Sequence, residues 1–301
     1  MNRESLYAGM EAGGTKSLCA IGAGPDDIRA QAQFPTRTPE ETIRKVIDFF
    51  KVHEPFAAMG IATFGPCDLD PASPTYGCIT STPKLGWENV NLLGIFRQAF
   101  NIPIGFDTDV NVAAFGEWKW GAGQGLNTVI YLTVGTGIGG GGIVHGRMMH
   151  GLIHPEMGHI RVPRVAHDTF VGNCPYHGDC LQGLAAGPAI EARWGKPATE
   201  LPPDHPAWEM EARYLALAVN DLVCVLSPQR IIPGGGVMHQ NHLFPLLRQE
   251  VRRLLNGYVQ SPMIIEHIDA YIVPPILGDR SGVLGAVALA RQMVGETENF
   301  E

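Results

Sequence analysis

The sequence predicts an α/β protein, and three observations point that way. Strand-like apolar runs alternate with amphipathic helical stretches, the pattern that places helices against a largely parallel sheet. Glycine-rich turns follow strands in both halves of the chain, and this recurrence suggests two similar α/β units. At 301 residues the chain is long enough to build two cores.

Bulk properties narrow the function. Hydrophobic residues make up 45% and charged residues 17%, values ordinary for a globular protein. A net charge of −8, without a basic run, argues against a nucleic-acid surface. No apolar stretch approaches the roughly eighteen residues of a membrane helix, and Met1–Tyr7 lacks the regions of a signal peptide, so a cytoplasmic location is expected. Cys19, Cys67, Cys78 and Cys224 are scattered among apolar neighbours and read as reduced thiols.

The first strand-like run ends in Glu11-Ala12-Gly13-Gly14-Thr15-Lys16 and resumes at Ser17–Gly22. Its glycines allow a hairpin turn, and equally a turn whose amides approach a phosphate beside Thr15 and Lys16. Residues 38–52 carry Ile43, Val46, Ile47 and Phe50 at helical spacing behind a Thr38-Pro39-Glu40-Glu41 start, which predicts a core-packed helix. A buried strand over 57–62 follows and is broken by Gly65-Pro66. Residues 67–90 read as loop and 92–100 as a short helix.

A strand over 102–106 then runs into Asp107-Thr108-Asp109-Val110-Asn111 and a helix predicted over 113–120. Carboxylates at a strand end and helix start stand where α/β folds place ligands, near the helix's positive pole. Either Asp could serve only as a helix cap, but two of them followed by Asn111 exceed what one cap needs.

After Gly121–Gly125, a strand over 128–134 enters Gly135-Thr136-Gly137-Ile138-Gly139-Gly140-Gly141-Gly142. Six glycines in these eight positions supply no packing of their own and fit a backbone that must come close to something, with phosphate the favoured partner. Pro233-Gly234-Gly235-Gly236 follows a strand over 230–232 and leads toward a helix over 241–255, a place for a nucleotide. Neither cluster has Walker or Rossmann spacing. Between them Leu215, Val219, Leu222 and Leu226 mark the core face of a long helix. The tail reads as a strand over 264–273 and a final helix over about 283–294.

The densest chemistry lies in residues 154–182. Cys174, His177 and Cys180 have C-x2-H-x2-C spacing, and His159 lies upstream. Two thiolates and two imidazoles suit tetrahedral Zn²⁺ with no open position, so the expected site is structural. Such a metal contributes on the order of 10 kcal/mol to a loop with little core of its own.

Taken together these stretches resemble the ROK family (repressors, open reading frames, kinases), and within it the bacterial fructokinases. Glu11–Lys16 is similar to the first phosphate motif, and Asp109 and Asn111 match its N-D-x-N. Leu132–Gly142, with Thr133 at its start, matches the second phosphate motif, Pro233–Val237 the adenosine motif, and His154–Gln182 the E-x-G-H and zinc-loop signature. The resemblance covers nearly the whole chain.

The resemblance implies an actin-like ATPase fold of two RNase H-like lobes, with ATP and sugar meeting in the cleft. Residues 1–120 with a C-terminal helix in 282–301 would form one lobe, and 121–281 with the zinc loop the other. It further implies ATP-dependent phosphorylation of D-fructose at the 6-hydroxyl, with Asp109 as general base. Asn111, Glu156, His159 and Gln182 would serve the sugar, and His159, Cys174, His177 and Cys180 the zinc. Gly13, Gly14, Thr15, Lys16, Thr133, Gly135, Thr136 and Gly137 would bind phosphates with Mg²⁺, and Pro233, Gly234, Gly235 and Gly236 would border the adenosine. A homodimer is expected from the family.

Three departures stand out: Glu11 replaces the usual Asp, the zinc loop carries a His among its cysteines, and Gln182 stands where a Glu often contacts the sugar. Amide for carboxylate keeps an acceptor and removes a charge, so it bears on sugar choice. The alternatives are a kinase for mannose, glucose or an amino sugar, a sugar-sensing repressor, and a non-catalytic sensor. The first motif starts too early in the sequence to leave room for a helix-turn-helix, which disfavours a repressor.

Overall fold

The computed structural model describes residues 5–295. Its first half builds β1 (Tyr7–Ala12), β2 (Lys16–Gly24), β3 (Asp27–Pro35), α1 (Pro39–Val52), β4 (Ala58–Thr63), α2 (Leu92–Ala99), β5 (Ile104–Thr108) and α3 (Asp109–Trp120). Then come β6 (Val129–Val134), β7 (Ile138–Val144), β8 (Arg147–Met148), α4 (Leu181–Ala185), α5 (Gly187–Trp194), α6 (Ala207–Leu226) and β9 (Arg230–Gly234). The chain ends in α7 (Leu243–Leu255), α8 (Pro262–Ile265), α9 (Ile268–Tyr271) and α10 (Ser281–Met293).

Two sheets share one plan. The first has the order β3-β2-β1-β4-β5 and the second β8-β7-β6-β9. In each, a leading strand pairs antiparallel with its hairpin partner and parallel with a strand arriving from a crossover: β1 with β2 and β4, β6 with β7 and β9. Turns at the carboxyl ends of such parallel strands are where α/β sheets hold ligands. The hairpin turns 13–15 and 135–137, the start of α3, and the turn after β9 all leave from those ends.

Helices α10 and α3 lie between the sheets, and glycines let them approach closely. A Cβ on Gly60 of β4 would stand 1.9 Å from the Ala286 carbonyl of α10, one on Gly285 would stand 1.9 Å from the Val112 carbonyl of α3, and one on Gly141 of β7 would stand 2.5 Å from Val110. The order is therefore first sheet, α10, α3, second sheet. Outside this seam, Ile43, Val46 and Phe50 of α1 and Leu92 and Phe96 of α2 bury against the first sheet. Leu215, Val219 and Leu222 of α6 bury beside Ile130 and Leu132 of β6.

Three expectations are corrected. The expected strand over 264–273 is mostly α8 and α9, since Pro262 suits a first helical turn and the buried Ile264, Ile268 and Tyr271 fall at helical spacing, and only Ile272 and Val273 pair with Ile231 of β9. Gly139–Gly142 belong to β7, and what comes close to them is protein: Val110 at Gly139 and Gly141, Met157 at Gly140, Ile130 at Gly142. The third concerns α3, which begins four residues earlier than its apolar pattern indicated. Its cap is Thr108, whose hydroxyl accepts from Asn111 N at 3.3 Å, so neither Asp is the cap.

Candidate active site and metal-ligating cluster

Asp107 and Asp109 flank this cap and have different surroundings. Asp107 is buried, its Oδ1 accepting from Thr108 N at 2.7 Å and Asn111 Nδ2 at 3.1 Å, and its Oδ2 from His150 Nε2 at 2.6 Å. Asp109 is half-buried, accepts from Val110 N at 2.9 Å, and receives no side-chain hydrogen bond among the described residues. Desolvation, reinforced by the charge of Glu156, pushes the Asp109 carboxyl up to about 7. Burial raises Glu156 as well. A carboxylate held on one side only, with a pKa near neutrality, is chemically fitted to accept a proton from a bound hydroxyl.

Glu11 ends β1 and faces the same region. Burial and then the Asp109 charge push it up to about 7, and its Oε2 is buried without a hydrogen-bond partner. A Cβ on Gly282 would stand 2.3 Å from the Glu11 carboxyl carbon, so this carboxyl lies against the start of α10. An orphaned carboxylate oxygen beside a phosphate-type turn fits a hard cation with oxygen ligands. Glu11 was recognised in the sequence only as a motif departure. His150, which holds Asp107, carries no sequence signal at all.

Asn111 is fully buried, and its amide is occupied: Nδ2 donates to Asp107 and to the Met149 carbonyl at 2.9 Å, and Oδ1 accepts from Gly142 N at 3.1 Å. It fastens α3 to β7 and to the 149–150 segment. Gln182 also has an engaged acceptor, its Oε1 taking a hydrogen bond from Ile138 N at 3.1 Å.

The two hairpin turns are similar. Gly13 N donates to the Lys16 carbonyl at 3.0 Å and Gly135 N to the Gly137 carbonyl at 2.8 Å, which closes each hairpin and removes those two amides from the expected set of phosphate donors. The amides of Gly14, Thr15, Thr136 and Gly137 take no protein partner among the described residues, so each turn offers two adjacent donors to an anion. The turn after β9 adjoins the second hairpin, since a Cβ on Gly135 would stand 3.8 Å from Gly236 N. Gly235 has φ +88°, where a Cβ would meet the Val134 carbonyl at 2.6 Å and Thr133 Oγ1 at 2.7 Å. Thr133 and Gly234 pair across β6 and β9, Pro233 is buried in β9, and Gly236 faces open space.

His159, Cys174, His177 and Cys180 converge, with one ligand atom from each lying within 4.8 Å of the others. His159 Nδ1 lies 3.7 Å from Cys174 Sγ, 3.5 Å from Cys180 Sγ and 3.2 Å from His177 Nδ1. Tetrahedral zinc, with Zn–S of about 2.3 Å and Zn–N of about 2.0–2.1 Å, separates sulfur from nitrogen by about 3.5 Å and nitrogen from nitrogen by about 3.4 Å. The donor set and its spacing fit that ion.

Paired sheets of one plan, donor-lined hairpin turns and an acid at the seam define the class: an α/β protein of the actin-like ATPase fold. Within it, the chain belongs to the ROK family, whose sequence model matches residues 7–293. It is 44% identical to the fructokinase of Pediococcus pentosaceus, covering 95% of this chain and 98% of that one. It is likewise 44% identical to the fructokinase of Zymomonas mobilis, over 96% and 97% of the two chains. Among solved structures, the ROK glucokinase of Streptomyces griseus in complex with glucose and AMPPNP superposes with a TM-score of 0.75 at 26% identity, over 96% of this chain and all of that one.

Proposed function

We propose that the chain is an ATP-dependent fructokinase that transfers the γ-phosphoryl group of ATP to the 6-hydroxyl of D-fructose, giving fructose 6-phosphate and ADP. The observation that carries this reading is the 44% identity to fructokinases over nearly full length, joined to a half-buried Asp109 that takes no side-chain hydrogen bond among the described residues. Asp109 takes the hydroxyl proton as the sugar oxygen attacks the γ-phosphorus and ADP departs. Glu156 and His159 receive the sugar, while Asp107 and Asn111 hold the start of α3 that carries the base.

The phosphates rest on the amides of Gly14, Thr15, Thr136 and Gly137, with Lys16 adding charge, and the turn 233–236 borders the adenosine. Glu11 would hold Mg²⁺, which neutralises charge on the phosphates when bound. Zn²⁺ on His159, Cys174, His177 and Cys180 would fix the 160–180 loop. With Nδ1 of His159 turned to that cluster, its Nε2 is left to bond a sugar hydroxyl.

We further assign the two lobes to residues 1–120 with the helix in 282–301, of which 296–301 lie outside the described residues, and to residues 121–281. A homodimer is proposed, supported by the exposed apolar Leu152, Ile153 and Tyr176. A cytoplasmic location is proposed as well; no helix among the described residues is long and apolar enough to cross a membrane.

The test is a coupled ADP-release assay with Mg-ATP on fructose, mannose, glucose and N-acetylmannosamine. Preference for fructose is expected. Turnover of another sugar would keep the phosphoryl-transfer reading and replace the substrate, and silence on all four with zinc present would overturn the kinase reading.

A further inference from the structure

The turn 135–138 is held by the segment that carries the cysteine and histidine ligands, and it is held from three directions. Gln182 lies two residues after Cys180 in α4, and its Oε1 accepts from Ile138 N at 3.1 Å. Gly158 precedes His159, and a Cβ there would stand 1.7 Å from the Ile138 carbonyl oxygen. Gly187 begins α5, and its N–H donates to the Gly135 carbonyl at 2.8 Å. A Cβ on Gly137 would stand 2.8 Å from Gln182 Oε1, so the Gln182 amide lies directly against the turn and a side chain at 137 would push it aside.

We infer that Gln182 is a positioning residue for the nucleotide: by fixing the Ile138 amide it sets the 135–137 turn, so it governs ATP affinity. The assignment rests on the phosphate reading of that turn. The chemistry favours an amide here. A carboxylate would also accept from Ile138 N, but it would bring a negative charge to the turn whose free amides of Thr136 and Gly137 receive an anion. A neutral acceptor orders the turn without repelling the phosphates.

The residue links two parts of the molecule otherwise separate in sequence. Ile138 opens β7, and Gln182 stands in the short helix whose first residue follows a cysteine ligand. Order at the 174–180 cluster is therefore transmitted to the turn through two hydrogen bonds and one close backbone contact.

The experiment compares wild type with Gln182→Met, which keeps length and removes the acceptor. Zinc per chain and the circular dichroism spectrum establish that the variant is folded and loaded. Loss of one hydrogen bond of about 0.5–1.5 kcal/mol corresponds to about two- to tenfold. The expected result is ATP affinity, measured by titration calorimetry without sugar, weakened by about that factor, fructose KM within about twofold, and faster amide exchange at Ile138.

An altered fructose KM with unchanged ATP affinity, or unchanged exchange at Ile138, would overturn the inference. Wild-type protein in which ATP fails to slow exchange at residues 136–138 would instead remove the phosphate reading of the turn, so the two failures are distinguishable.

Discussion

Glu117 Oε1 accepts from Ser281 Oγ at 2.7 Å, which ties the last turn of α3 to the first residue of α10. The same carboxylate accepts from Leu277 N at 2.9 Å, Ile276 N at 3.1 Å and Ala122 N at 2.8 Å, and Glu117 is fully buried. Four donors converge on one buried carboxylate; without it the three backbone amides would lose this partner, while Ser281 Oγ keeps the Gly278 carbonyl at 2.8 Å. Glu117→Ala is expected to destabilise by about 3–5 kcal/mol, and Glu117→Gln, which places an amide NH2 against donors, by about 1–3 kcal/mol. Urea unfolding of both variants checks this; a Glu117→Ala loss under about 1 kcal/mol would show that the joint is not fastened here.

Asp109→Asn is expected to lower kcat by about 10²–10⁴ while raising stability. The sign follows from the environment. The Asp109 carboxyl is raised from 3.8 to about 7, so the folded chain holds a proton that the unfolded chain has released, and ionising it opposes folding as pH rises. A neutral amide removes that opposition. With solvent screening of a half-buried group, a Tm gain of about 1–4 °C at pH 8 is expected, shrinking toward pH 4. A variant that lost both activity and stability would mean that Asp109 holds the fold together.

The pH dependence of kcat/KM follows from the same group. A base must be ionised, so activity should fall below a midpoint near 7 and decline about tenfold per pH unit further down. Glu11, also near 7 and coupled to Asp109, makes the observed midpoint a property of the pair. An activity flat from pH 5 to pH 8 in the wild type, with the fold intact by circular dichroism, would contradict this.

Much of this was legible in the sequence, for identifiable reasons. The C-x2-H-x2-C spacing of Cys174, His177 and Cys180, which converge with His159, and the place of Asp109 at a strand end were legible because both features are local in sequence. In the 264–273 segment Ile264, Ile265 and Ile268 have high strand preference, yet Pro262 and the burial of Ile264, Ile268 and Tyr271 set 262–265 and 268–271 as helical turns, and only Ile272 and Val273 pair with Ile231 of β9 as a strand would. The Gly139–Gly142 run differs for another reason: its glycines do meet close neighbours, but these are protein, Val110 of α3 at Gly139 and Gly141, Met157 at Gly140 and Ile130 of β6 at Gly142, brought in by tertiary packing. Asn111 and Gln182 fall in the same class, since the Gly142 and Ile138 amides that engage them come from strands distant in sequence.

The four-ligand cluster carries the last expectation. Cys174 and Cys180 are buried and His177 is exposed, so their loss should differ in effect. Within the 160–180 loop, Val162 is buried, Ile160, Val165 and Phe170 pack on the core, and the buried Asp168 carboxylate accepts from Tyr214 Oη and from Arg193 at 3.2 Å, whereas the Arg161 and Arg164 pairs with Asp179 lie at the surface, where ion pairs contribute about 0–1 kcal/mol. These contacts fasten the middle of the loop, and the metal would fasten its 174–180 end. Cys174→Ala should abolish zinc binding, open 174–180 to proteolysis and lower Tm by several degrees, since a structural site contributes on the order of 10 kcal/mol of binding energy to folding. His177→Ala leaves a vertex that water can fill, so zinc should be retained at lower affinity and be lost first to chelator. Metal analysis, limited proteolysis and thermal unfolding, before and after chelation and zinc return, measure all of this. A zinc-free wild type with an intact loop and unchanged Tm would show that the four side chains converge for some reason other than a metal.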